Sequence, residues 1–206
     1  MDDVLKRNMP GEKELGRLMA GNRRYVTSRL GHPNQTAERR AELRDGQQPF
    51  AVILGCSDSR VPPEVIFDMG LGDLFVVRVA GNIIDDVVLG SIEYAASHLQ
   101  TPLVMVLGHS NCGAIEASVS GGDMDGHLPS LLAAISPAVD EVMDQPGDIV
   151  NNAARLNAKM VSDQLRCSIP ILSDLVHRGL LKIVPAYYDL GTGAVALLSE
   201  GMSYQY

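Results

Sequence analysis

Long apolar runs are missing from this chain of 206 residues. The longest are strand-sized, so no segment is expected to span a bilayer or to make the membrane a partner. Residues 1–20 carry charges throughout and lack the apolar centre of a signal peptide, which makes a cytoplasmic location the expectation. A surplus of basic residues is missing as well. Seventeen Lys and Arg stand against 25 Asp and Glu, a formal net charge of -8. Phosphate backbones are met by basic surfaces, so nucleic acid is not an expected partner. The adjacent pairs Arg23-Arg24 and Arg39-Arg40 sit among helix-like polar residues, where a solvated helix face accounts for them. Cysteine is scarce: Cys56, Cys112 and Cys167 leave one thiol unpaired in any disulfide scheme. A reduced compartment with metal-binding or catalytic thiols is the better expectation.

What is present suffices for one domain over residues 1–206 with a buried core. Apolar residues make up 46% and charged residues 20%, an ordinary globular composition. Residues 12–28 set Leu15, Leu18, Met19, Tyr25 and Val26 at helical spacing, with Asn22 as the polar intruder. A second helix is expected over 36–45 with Thr36 as its cap, and Gly31-His32-Pro33-Asn34 separates the two. Residues 1–46 thus read as a helical arm without a strong apolar stripe. Such an arm needs a surface to pack on, another subunit being one candidate.

From residue 50 the pattern changes. Phe50–Leu54, Leu74–Val77, Leu103–Leu107 and Leu181–Val184 are short apolar runs, the mark of parallel strands buried on both faces. Between them Leu89, Ile92, Ala96 and Leu99 share one helical face, as do Val150, Ala154, Ala158, Val161 and Leu165. The alternation predicts an α/β sheet with right-handed crossovers. Asp189–Gly193 is a turn signal, followed by a short apolar run that suits a terminal antiparallel strand. Gly121–Gly126 reads as a loop.

Two segments carry chemistry. Cys56-Ser57-Asp58-Ser59-Arg60 follows one expected strand, and His109-Ser110-Asn111-Cys112-Gly113 follows another. Open α/β sheets hold their ligands at the carboxyl ends of strands. Two thiols and an imidazole converging there suit Zn2+ with its fourth position left to water. Gly55, Gly108 and Gly113 allow tight backbone paths around that point. Arg60 can grip Asp58 bidentately and hold it off the metal. If that grip breaks, Asp58 becomes a fourth ligand and closes the site, an exchange that acid would favour. Cys167 is read as buried filler, with a fourth metal ligand as the minor alternative. His32, His98, His127 and His177 have no partner pattern near these segments. A cysteine-phosphatase reading fails on spacing, because Arg60 follows Cys56 too closely and Asp58 intervenes.

At these residues the chain resembles a β-class carbonic anhydrase. The likeness continues through Gly46–Pro49, Gly72–Arg78, Ala80-Gly81-Asn82 and Ser91–Tyr94, close over residues 12–120 and looser beyond. The resemblance implies an α/β fold with four parallel strands and one antiparallel strand, flanked by helices. It also implies a homodimer, or a dimer of dimers, whose N-terminal helices embrace the partner. Cys56, His109 and Cys112 would bind zinc, with Asp58 and Arg60 as the catalytic dyad. Gln47, Phe75 and Tyr94, with Gly113, would line the substrate pocket, partly from the neighbouring subunit. Ala80 stands where many members carry a larger aliphatic residue, which opens that wall. Ile53 stands where a bicarbonate-inhibited subgroup carries tryptophan, which argues against that subgroup's allosteric site although Arg78 is retained. The expected activity is reversible hydration of carbon dioxide to bicarbonate and a proton by zinc-bound hydroxide. Two alternatives stay open: hydrolysis of carbonyl sulfide or carbon disulfide at the same centre, and a structural zinc domain without activity.

Overall fold

The computed structural model describes residues 9–122 and 124–199; the first eight residues of the arm and Asp123 of the Gly121–Gly126 loop lie outside them. Helix α1 (Glu12–Val26) and helix α2 (Ala37–Glu42) lead through a 3-10 turn into strand β1 (Ala51–Gly55). Helix α3 (Pro63–Ile66), strand β2 (Leu74–Arg78) and a 3-10 turn (Ala80–Asn82) follow. Helix α4 (Asp86–Glu93) widens into a π-helical turn over Tyr94–His98 before strand β3 (Leu103–His109). Helices α5 (Gly113–Ser120), α6 (Leu128–Asp140), α7 (Ile149–Cys167) and α8 (Ile171–His177) precede strands β4 (Lys182–Tyr188) and β5 (Val195–Leu197). Among the described residues no helix is long and apolar enough to cross a membrane.

The strands form one sheet in the order β2-β1-β3-β4-β5, with β5 antiparallel and the rest parallel. The expected α/β architecture is therefore present. In β1 and β3 every residue is buried, because alternate side chains enter two separate cores. Ile53, Met105 and Leu107 meet Leu15, Leu18 and Phe67 on one face. Val52, Leu54, Val104 and Val106 meet Ile92, Ala158, Val161 and Leu165 on the other. β2 departs from the expectation of burial on both faces. It is an edge strand with a single partner; Leu74–Val77 are half-buried and Arg78 is exposed. Gly55 pairs with Leu107, so the chain leaves β1 and β3 at the same carboxyl edge.

The arm divides in two. Leu15 and Leu18 of α1 join the core of their own sheet. Asn22, the polar intruder, is buried and fully used. Its amide nitrogen donates to the carbonyls of Ile66 and Gly193, and its oxygen accepts from the Val195 N–H at 2.9 Å. It joins α1 to both the α3 region and β5. Helix α2 is capped by Thr36 as expected but has no buried residue.

A buried carboxylate secures the junction after α1. Asp68 accepts from Arg24 and from the N–H groups of Gly31 and His32. Burial alone would raise its pKa, but these donors outweigh it and hold the carboxyl below its ordinary value of 3.8. A depressed folded-state pKa stabilises the protein above the unfolded value, and that contribution is lost as pH falls through the folded one. Asp68→Asn is expected to cost about 1.5–3 kcal/mol at pH 7, the scale of a hydrogen-bonded buried charge. The gap to the parent should narrow towards pH 3 in urea unfolding, whereas an equal gap at both pH values would contradict this account.

Candidate metal centre

Cys56 is the first residue after β1, His109 the last of β3, and Cys112 caps α5. All three are buried, and their ligand atoms lie within 4.8 Å of one another. The two sulfurs are 3.9 Å apart. Two thiolates on a tetrahedral zinc, each about 2.3 Å from it, sit roughly 3.8 Å apart. The His109 ring is oriented by its neighbour: Nδ1 lies 2.9 Å from the Ser110 carbonyl, which can only accept, so Nδ1 carries the proton. Nε2 is left as a bare lone pair, buried and without a hydrogen-bond partner. An orphaned acceptor beside two thiols is a site that fits a cation.

The thiols divide their protons unequally. Cys56 is pulled well below the ordinary thiol range, first by the hydrogen bond from Cys112 and against the opposing effect of burial. The Gly81 N–H, 3.3 Å from the Cys56 sulfur, adds to the pull. Cys112 is pushed up by donating to Cys56 and by burial. Cys56 is thus a ready anionic donor, and Cys112 releases its proton when a cation replaces it between the sulfurs.

Asp58 and Arg60 stand beside this group. Arg60 grips Asp58 through Nε at 2.9 Å and Nη2 at 2.7 Å, and its own N–H caps the same carboxylate at 2.9 Å. The guanidinium hydrogen bonds hold Asp58 down at about 2, so it stays ionised at neutral pH. Asp58 Oδ2 is 4.0 Å from His109 Nε2, beyond hydrogen-bond length. Arg78 and Gly81, both within the stretches of the likeness, and Asn157, outside them, shape the two loops. Arg78 donates from Nε to the Cys56 carbonyl at 2.9 Å and from Nη2 to the Asp58 carbonyl at 2.6 Å. Asn157 of α7 holds the Gly81 carbonyl at 2.8 Å. Gly81 has φ 70, and an added Cβ would meet Ile135 at 2.7 Å. Only glycine presents its N–H to Cys56 from that position.

The other expected site residues are spread more widely. Phe75 on β2 and Tyr94 at the start of the π-helical turn touch, with ring centroids 6.3 Å apart. Tyr94 also stacks on His98 at 5.3 Å, a neighbour that no spacing argument had linked to it. Gln47 is exposed and borders a cleft with Arg40, Leu43, Leu71 and Gly72, away from the thiols. Gly113 opens α5 next to Cys112, and the space where a Cβ would stand is free. Cys167 corrects an expectation: it is exposed rather than buried filler, and it is not part of the thiol–imidazole group. It ends α7 two positions beyond Leu165, which turns it about 200° away from the buried face.

A thiol–imidazole–thiol group at the carboxyl edge of a mostly parallel sheet defines a candidate metalloenzyme of the α/β class. Comparison with known proteins narrows the class. The carbonic anhydrase family model matches residues 51–195. A carbonic anhydrase of Mycolicibacterium smegmatis is 42% identical over 192 residues, covering 89% of this chain and 91% of that protein. Carbonic anhydrase 2 of Mycobacterium tuberculosis is 41% identical over 185 residues, covering 87% and 89%. Among solved structures, a tetrameric β-carbonic anhydrase of Sordaria macrospora superposes with TM-score 0.76 at 27% identity, covering 93% of this chain and 100% of that one. A Coccomyxa β-carbonic anhydrase in complex with acetazolamide gives TM-score 0.71 at 25% identity, covering 95% and 84%. This chain belongs to the β-carbonic anhydrase family.

Proposed function

We propose that the protein catalyses the reversible hydration of carbon dioxide to bicarbonate and a proton, with zinc held by Cys56, His109 and Cys112. The observation that carries the reading is the buried three-donor set with an orphaned imidazole nitrogen, flanked by a carboxylate that an arginine holds ionised. Zinc bound there supplies the Lewis acidity that brings the pKa of water down towards neutrality. Asp58 accepts the hydrogen bond of the attacking water through Oδ2 and so orients its lone pair. Arg60 keeps that carboxylate ionised and holds Oδ2 4.0 Å from His109 Nε2, so that Asp58 would stand beside a zinc held by the three donors without ligating it. Gly113, without a side chain, leaves room beside Cys112 for a small substrate. Gln47, Phe75 and Tyr94 line the pocket once two copies associate, as a dimer or a dimer of dimers, with α2 seated on the partner. The cytoplasm is the working compartment.

Carbon dioxide hydration and zinc content measured on one sample test the reading. Activity that vanishes on metal removal and returns with zinc is expected, whereas full activity in metal-free protein overturns it. Turnover of carbonyl sulfide or carbon disulfide in the same preparation, without carbon dioxide hydration, would reassign the substrate. Asp58→Asn keeps the shape but loses the charge. It should lower kcat/KM by about 100-fold, the scale of one positioned proton acceptor, with zinc stoichiometry unchanged.

A further inference from the structure

The loop that carries two metal ligands contains a non-glycine residue in the left-handed region: Asn111, φ 51. Asparagine tolerates that conformation, but something must hold it. The Asn111 N–H donates to Asn151 Oδ1 at 3.0 Å, and the Tyr187 hydroxyl donates to the same oxygen at 2.9 Å. On its other side Asn151 donates from Nδ2 to Asp148 Oδ2 at 2.9 Å, while Asp148 Oδ1 caps the Asn151 N–H at 3.0 Å. Two donors on one side and a carboxylate on the other allow the amide one orientation only. Tyr187 is itself fixed beneath the Arg155 guanidinium, 3.5 Å from its ring centroid. Beyond the left-handed Cα, the Asn111 carbonyl accepts from Arg60 Nη2 at 3.1 Å, the same nitrogen that grips Asp58.

We propose that Asn151, oriented by Asp148, is a positioning residue for the Asp58–Arg60 dyad. It acts through Asn111: holding the N–H fixes the peptide plane that enters this left-handed residue, and with it the short stretch of backbone whose carbonyl holds Arg60. Helix α7 thereby reaches the dyad from outside both ligand segments. Asn151 touches no reacting atom. The inference rests on the reading that Asp58 and Arg60 serve the reaction.

The test compares three variants of the zinc-loaded full chain. Asn151→Ala removes the acceptor. Asn151→Asp keeps the acceptor but sets its carboxylate against that of Asp148; an acidic residue suits the first turn of a helix, so folding is retained. The double variant Asp148→Asn/Asn151→Asp restores a donor–acceptor pair with reversed polarity, and asparagine remains a good cap. We expect kcat to fall about tenfold in both single variants with KM little changed, the scale of a lost supporting contact, and to return within about twofold of the parent in the double variant. Independently of activity, the Arg60 Nε–H proton resonance should be protected from solvent exchange in the parent and the double variant, and lost in the single variants. A protected resonance and unchanged kcat in both single variants would overturn the inference, as would failure of the double variant to restore either. If the parent does not hydrate carbon dioxide but the Arg60 resonance follows this pattern, the functional reading fails and the positioning role stands.

Discussion

Cys56→Ser should abolish zinc retention and lower carbon dioxide hydration by more than the roughly 100-fold that loss of an outer-shell partner costs. The expectation follows from how the thiol is prepared. Cys56 is held well below the ordinary thiol range by the hydrogen bond from Cys112, with the Gly81 N–H adding to it against burial. The protein therefore offers zinc an anion at Cys56 before any metal arrives, and a soft one. Serine keeps the shape and offers a neutral hydroxyl whose deprotonation the same donors cannot achieve at neutral pH. Cys112 then loses its thiolate neighbour, and His109 Nε2 is left facing one sulfur. Structural zinc sites, with four protein ligands, bind with about 10–16 kcal/mol in apparent terms; a centre with three has less to spare, so loss of one removes most of the retention. Zinc content after dialysis and the hydration rate, read on the same sample, check this; retained zinc with the parent rate would overturn the ligand assignment. Cys167→Ser is the matched control. Its thiol is exposed at the end of α7, so neither quantity should move.

The convergence of two thiols and an imidazole is legible in the sequence because its parts are local. A strand end fixes where a side chain leaves the sheet, so Cys56 and the His109–Cys112 pair could be placed from apolar runs alone. The Thr36 cap and the turn before β5 were legible for the same reason: each is decided within a few residues. Contacts between distant segments were not. Asn22 interrupts an apolar face and reads as a defect, yet its three hydrogen bonds reach Ile66, Gly193 and Val195. No periodicity predicts that a polar residue is buried because two other segments need its amide. Asn151 and Asn157 carry no sequence signature for the same reason, since each acts on a backbone carbonyl or N–H of a distant segment. Cys167 was misplaced by treating thiols as apolar, when its position on the helix wheel, opposite the Leu165 stripe, decides its exposure. The apolar composition of β2 predicts burial on both faces. Strand order, which composition does not contain, puts it at the edge.

Gly21→Ala is expected to be among the most destabilising single-methyl additions to this fold. Helix α1 crosses the turn after α3 so closely that a Cβ at Gly21 would lie 1.8 Å from the Phe67 carbonyl oxygen and 2.8 Å from its carbon. The obstacle is backbone, and that backbone is tied: the Phe67 N–H bonds Pro63, the Met69 N–H bonds Glu64, and the Ile66 carbonyl accepts from Asn22. The helix must therefore move instead. A shift large enough to clear the contact draws Leu18 from the core and breaks the Asn22 bonds to both the α3 region and β5. Overpacking and loss of these buried bonds together cost about 3–5 kcal/mol. For a chain of this size each kcal/mol lowers the thermal midpoint by about 2–4 °C. Gly16→Ala on the same helix provides the contrast. Nothing lies within 4 Å of its would-be Cβ, so only the helix propensity of alanine acts, worth up to about 1 kcal/mol in favour of folding. Opposite signs at two glycines five residues apart would place α1 on its own sheet. Equal effects would mean that the helix does not pack there in solution, and that the first part of the arm leaves its own chain.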